Sequence, residues 1–204
     1  RTEGVAITRP SKLTDRKRKA VDYKKRLYNI MYSKKFLEKD NIDMTNFIEW
    51  LKKSNWEFKL KEDNFFILPD DVLNRYKEIP KAYLEFLKIF RECVSPDEKT
   101  WFLCEDDYKN MTSAFKWNEF EIIGLEAARE DSDEEWEKEI KEWWDSHFPI
   151  IISVKNGYAF YAIDMSTDTG EIVYGIEPEF EETEKVAENI QDFFRLIVEN
   201  KIVL

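Results

Sequence analysis

Few side chains here are equipped for chemistry, and those few stand apart from one another. His147 is the only histidine. It follows a helical stretch and precedes Phe148-Pro149, where a cation complements a helix dipole, and no Ser or Cys motif lies nearby for it to activate as a general base. Cys93 and Cys104 are the only cysteines; their spacing suits neither a metal site nor a disulfide framework, so they read as buried free thiols of a reducing compartment. Asp106, Asp107 and Asp164 could in principle form an acid–base pair, but with 43 acidic residues nearness in sequence does not single out a dyad. None of the five glycines sits in a phosphate-cradling loop. No catalytic residue, cofactor or metal ligand is therefore assigned. An enzyme acting on a small polar substrate would need convergent carboxylates in a pocket, with Asp164 the residue to test.

What the chain does offer is charge in blocks. Acidic residues concentrate at Glu105-Asp106-Asp107, at residues 130 to 142, with eight Asp/Glu against two Lys, and at residues 177 to 184, with five and no base. Within the second block Glu130, Asp131, Asp133, Glu134 and Glu137 are the candidate partner-binding residues, together with Glu105, Asp106 and Asp107. Such patches resemble a nucleic-acid backbone to a basic protein and would speed encounter by electrostatic steering. Solubility is the plainer explanation for any one patch. Trp101, Trp117, Trp136, Trp143 and Trp144 lie within apolar patterns and read as core; a tryptophan exposed beside an acidic patch would be the best interface anchor.

The elements that must carry these residues are legible in the C-terminal half. Ser132 with Glu135 forms a capping-box pattern, after which Trp136, Ile140, Trp143 and Trp144 recur at helical spacing. Ile150 to Val154 is a β-branched run, and Asn156-Gly157 is the preferred pair for a type I′ hairpin. Tyr158 to Asp164 then returns as a covered strand, with Tyr158 and Phe160 on one face and Ala159, Tyr161 and Ile163 on the other. A turn at Asp168-Thr169-Gly170 leads to Glu171 to Tyr174, so three consecutive antiparallel strands are expected, the last (Glu171 to Ile176) an edge that could pair across a dimer. A helix over 184 to 199, with Val186, Ala187, Ile190, Phe193, Phe194 and Ile197 inward, closes the chain. Upstream, short helices are expected over 45 to 53 and over 72 to 76 behind Asp70-Asp71, and a third opens at Pro80, whose missing N–H costs nothing in a first turn.

This order resembles the SUKH superfamily. The residues that carry the likeness are His147-Phe148-Pro149-Ile150, Asn156-Gly157-Tyr158, Tyr161-Ala162-Ile163-Asp164, Gly170-Glu171-Ile172-Val173-Tyr174, Val186-Ala187 with Phe193-Phe194, and upstream Ile79-Pro80-Lys81-Ala82-Tyr83-Leu84-Glu85-Phe86-Leu87. The likeness spans roughly 44 to 204. It departs from the family pattern after the Pro80 helix, where members often carry Asn-Gly and this chain runs Phe90-Arg91-Glu92-Cys93-Val94 into Ser95-Pro96-Asp97. The resemblance implies an α+β fold, a twisted, largely antiparallel sheet with packed helices, and most often the role of an immunity protein that binds and blocks a bacterial toxin without catalysis. The expected partner is a cognate toxin, in the first instance a basic nuclease. A general protein-interaction or regulatory module of the same superfamily, without a dedicated toxin, is the alternative.

Bulk properties agree with a folded chain: of 204 residues, 43% are hydrophobic and 15% aromatic, well above the compositional range of disorder. No apolar run approaches a membrane span and no signal-peptide pattern opens the sequence, so a cytoplasmic protein without a membrane partner is expected. Charge divides the chain. Residues 1–43 hold 13 basic and 6 acidic residues, net +7, and residues 44–204 hold 19 and 37, net −18. We read 1–43 as a basic arm and amphipathic helix (14 to 40, with Val21, Tyr28, Met31, Tyr32 and Phe36 as its apolar stripe) and 44–204 as the acidic SUKH-like domain. The helix suits nucleic-acid or membrane-surface contact, although docking on the acidic body is the preferred reading. Oligomeric state is left open.

Overall fold

The computed structural model describes residues 44–111 and 115–204; the expected basic arm and helix fall outside them. The described residues form an α+β fold of seven helices and a seven-stranded sheet in which every strand pairs antiparallel with its sequence neighbour, in the order β1 to β7. The strands are β1 (Glu57–Leu60), β2 (Phe90–Val94), β3 (Thr100–Phe102), β4 (His147–Ser153), β5 (Ala159–Asp164), β6 (Glu171–Ile176) and β7 (Glu184–Ala187). The helices are α1 (Thr45–Lys53), α2 (Asp70–Arg75), α3 (Lys81–Ile89), α4 (Glu105–Tyr108), α5 (Glu119–Glu130), α6 (Glu134–Ser146) and α7 (Ile190–Val198).

Helices cover the sheet unequally. On one face α1, α3 and α7 meet it through an aromatic cluster. Phe47 of α1 lies 4.8 Å, ring to ring, from Phe194 of α7 and 5.5 Å from Phe102 of β3, and Phe86 of α3 stacks 4.7 Å from Phe90. In α7 the buried residues Ile190, Phe193, Phe194 and Ile197 fall at the i, i+3, i+4, i+7 positions of one apolar stripe. The other face is read most easily along one row of cross-strand partners: Glu57, Val94, Trp101, Ile152, Phe160 and Gly175. Phe160 lies beneath Trp144 of α6 and Phe120 of α5, at 4.8 and 6.0 Å. It also explains Gly175, since a Cβ there would stand 2.4 Å from the Phe160 ring. Farther along the row, over β1 to β3, no described helix covers the sheet in this way.

Pro149 stands inside central strand β4, which a proline tolerates only where the ladder is interrupted. The register indeed shifts between Pro149 and Ile151, and the Pro149 carbonyl that the bulge frees accepts from the Tyr108 hydroxyl at 2.7 Å.

Residues 184–187 form strand β7, not the first turn of the closing helix. Asn189 caps that helix instead, its side chain accepting from the Asp192 N–H at 2.9 Å. Consequently β6 lies between β5 and β7, and the edges of the sheet are β1 and β7. The Asn156-Gly157 turn is not type I′, because only Gly157 takes a positive φ, +105°; the chain loops from Val154 to Tyr158 between the paired residues Ser153 and Ala159. The cap of α6 is Asp133, whose Oδ1 accepts from the Trp136 N–H at 3.0 Å, while Ser132 adopts φ +56°.

Candidate functional site

Helices α5 and α6 form a tight hairpin. Small residues allow the approach: Gly124 faces Ile140, with a Cβ at Gly124 reaching only 3.4 Å from the Ile140 Cδ1, and Ala128 is fully buried. Three residues, 131 to 133, join the helices. Ser132 N–H donates to the Arg129 carbonyl and Asp133 N–H to the Ala128 carbonyl, at 3.1 and 2.9 Å, which satisfies the end of α5 while Asp133 starts α6. At the opposite end Arg75 of α2 clamps both helices, contacting Glu121 of α5 through two nitrogens at 2.7 Å each and Asp145 of α6 at 2.8 Å.

The candidate residues divide by what their carboxylates already do. Glu130, Asp131 and Glu134 are exposed at the hairpin tip, and among the described residues none has a cation within 4.0 Å. Asp133 is exposed but spends one oxygen on the cap. Glu137 is held by Lys141 and by Arg129, at 2.5 and 3.3 Å, and these hydrogen bonds keep its carboxyl below the ordinary range. The hairpin thus gathers five of the eight candidates. Trp136 stands one helical turn beyond Asp133 and is 37% exposed, whereas Trp144 and Trp117 are buried as expected and Trp143 and Trp101 are half-buried.

The other three candidates lie on α4 and are turned mainly to internal work. Glu105 accepts from Lys61 at 2.5 Å, from the Ile67 N–H at 3.0 Å and from Lys109. Burial alone would raise its pKa, but the lysines and the backbone donor outweigh that and hold it below the usual carboxylate value. Asp107 closes a capping turn by accepting from the Cys104 N–H at 2.8 Å. Asp106 meets Arg91 at 3.6 Å, on the wall of an open groove of about 890 Å³ over β1 to β3.

His147 lies flat against Trp143, ring centroids 3.6 Å apart and planes within 2°. Its Nδ1 sits 2.8 Å from the Trp143 carbonyl and its Nε2 3.8 Å from Asp164. Burial lowers its pKa, opposed by that carbonyl and by the Asp164 charge. Asp164 in turn accepts from both the N–H and the hydroxyl of Ser166. These contacts fasten the end of α6 to the sheet. Burial also pushes the thiols of Cys93 and Cys104 well above their ordinary value, which disfavours the nucleophilic thiolate. Among the described residues no group of three or more His, Cys, Asp or Glu is arranged to hold a metal ion, and no helix is long and apolar enough to cross a membrane.

Three features have no signature in the local sequence: the Arg75 clamp, the hydrogen bond from the buried Trp144 indole to the half-buried Glu181, and the groove floored by Trp101. The nearest hint of the first is an acid, Glu121, next to the apolar Phe120. No family model, no curated protein and no solved structure matches this chain.

Proposed function

We propose that this chain is a binding protein that neutralises a cognate bacterial toxin by occlusion, in the manner of SUKH immunity proteins, and that the toxin is a basic protein such as a nuclease. The observation that carries this reading is the α5–α6 tip, where Glu130, Asp131 and Glu134 have no cation within 4.0 Å among the described residues and a partly exposed tryptophan, Trp136, follows in the first turn of α6. Free carboxylates on a braced hairpin attract lysines and arginines from a distance, and the indole supplies apolar area at contact with little ordering cost. The helix opening at Pro80 and the β4–β6 meander, on which the resemblance rests, also support it.

Steering of this kind weakens as salt screens it, over about 10 Å at moderate ionic strength. The test is co-expression with the toxin encoded beside this chain, scoring survival and co-purification, followed by affinity at low and high salt. Rescue, a stable complex, salt-weakened affinity and loss of binding on reversing Glu130, Asp131 and Glu134 to Lys are expected. A folded chain that neither rescues nor binds sinks the proposal, and an affinity indifferent to salt sinks its electrostatic part.

A further inference from the structure

The groove over β1 to β3 has a composition that specifies what would fill it. Its floor follows the row of cross-strand partners: Glu57 of the edge strand, Val94, then Trp101, whose half-buried indole meets Phe115 edge-on at 5.9 Å. Neighbouring strands lie about 4.8 Å apart, which puts Glu57 roughly two strand spacings from Trp101 on the same face. The wall charges are partly self-compensated. Lys59 is paired with Glu92 at 2.6 Å and Arg91 with Asp106 at 3.6 Å. Glu57 and Glu98 remain, both exposed, with no cation within 4.0 Å among the described residues. The groove therefore offers an aromatic and aliphatic floor with two unneutralised carboxylates at its rim.

We infer that this groove takes an extended, arginine- or lysine-bearing segment of a partner protein. One basic side chain of the segment laid over the Trp101 indole gains from the ring quadrupole, while other basic side chains lay their aliphatic stems along Val94 and bring their heads to Glu57 and Glu98. Nucleic acid is excluded by the sign of the surplus charge. The segment is extended because its contacts are spread along one row across three strands, from Trp101 through Val94 to Glu57 on the same face, a span of roughly 10 Å that about three residues of extended chain cover. This site is separate from the α5–α6 tip and does not depend on the toxin reading.

The test is calorimetric titration of the full chain with a short synthetic peptide alternating Arg and Leu, beside the same peptide with citrulline, the uncharged isostere, in place of Arg. The Arg peptide is expected to bind at least about tenfold more tightly than the citrulline one. Substituting Glu57→Gln with Glu98→Gln, which changes only exposed side chains, should weaken it by about tenfold. Trp101→Leu should weaken it similarly, and Asp131→Asn with Glu134→Gln should leave it unchanged. Equal binding of the citrulline peptide, absence of binding, or equal weakening by the hairpin substitutions, which would mark a general attraction to an acidic protein, would each overturn the inference.

Discussion

Arg75 and Glu121 meet as a two-pronged ion pair, each terminal guanidinium nitrogen 2.7 Å from one carboxylate oxygen, with Glu121 almost wholly buried. Burial taken alone lowers the pKa of Arg75; the Glu121 hydrogen bonds and the surrounding negative charge reverse this and hold the guanidinium above its ordinary value. The pair is what lets an acid occupy the inner face of α5. Glu121→Ala strands a half-buried cation with Asp145 alone and should cost about 3 kcal/mol, the lower end for breaking a buried pair because Arg75 keeps some solvent. The joint change Arg75→Met with Glu121→Leu should recover most of that in chemical denaturation. Comparable loss in both variants would show that the pair acts by packing and not by charge.

Glu181 gives the opposite sign. Burial raises its pKa, only partly offset by the hydrogen bond it accepts from the Trp144 indole at 2.9 Å. A carboxyl whose folded pKa lies above its unfolded value binds its proton first in the folded state, so its ionised form is a liability at neutral pH that eases as pH falls toward 4.5. Glu181→Gln keeps an acceptor for the indole and removes the charge. It should stabilise the chain at neutral pH by up to about 1 kcal/mol and by less in mild acid. A destabilised variant would mean that the charge itself is needed.

His147 should sharpen the acid limb of stability. Its folded pKa lies below the ordinary 6.5, so between the two values the unfolded chain binds more protons. Stability is full above that range and falls as pH drops through it. His147→Gln should lower stability overall through the lost stack on Trp143, yet flatten the slope just below pH 6.5. An unchanged slope would assign the acid limb to carboxylates alone.

How much was legible in the sequence follows from which interactions are local. Strands β4 to β6 and helices α1 and α3 announce themselves because their apolar residues repeat at period two or 3.6 and their boundaries carry Pro, Gly or Asp. Helix α5 carries no such mark: its inner face is Phe120, Glu121, Gly124 and Ala128, one aromatic followed by a charged and two small residues, a stripe that makes sense only opposite Ile140 and Arg75. The residues of strand β7 read as helix because Val186 and Ala187 continue the spacing of α7, and nothing nearby in sequence reveals that residues 184 to 187 pair with β6. The acidic blocks are visible, but not that Glu105 and Asp107 are held by Lys61, Lys109 and the Cys104 N–H while Glu130, Asp131 and Glu134 meet no cation among the described residues. The groove was invisible for the same reason, since Glu57, Val94 and Trp101 become neighbours only through the register of three strands.

The turn between α5 and α6 offers two substitutions of opposite effect that bear on binding. Ser132 holds φ +56°, a conformation that costs a non-glycine residue about 1 kcal/mol. Ser132→Gly should therefore be neutral to stabilising, the gain being limited by the extra freedom glycine has when unfolded. Asp133→Ala removes the acceptor for the Trp136 N–H and should cost about 1 kcal/mol. It also removes a charge from the tip, so Asp133→Ser, which retains an acceptor without the charge, separates the two roles. If the hairpin recognises its partner as a preformed acidic surface, Asp133→Ser should keep the stability and lose some affinity, Asp133→Ala should lose both, and Ser132→Gly should keep both. Thermal melts beside affinities for the co-expressed partner decide this, and an Asp133→Ser variant with undiminished affinity would remove that carboxylate from the interface.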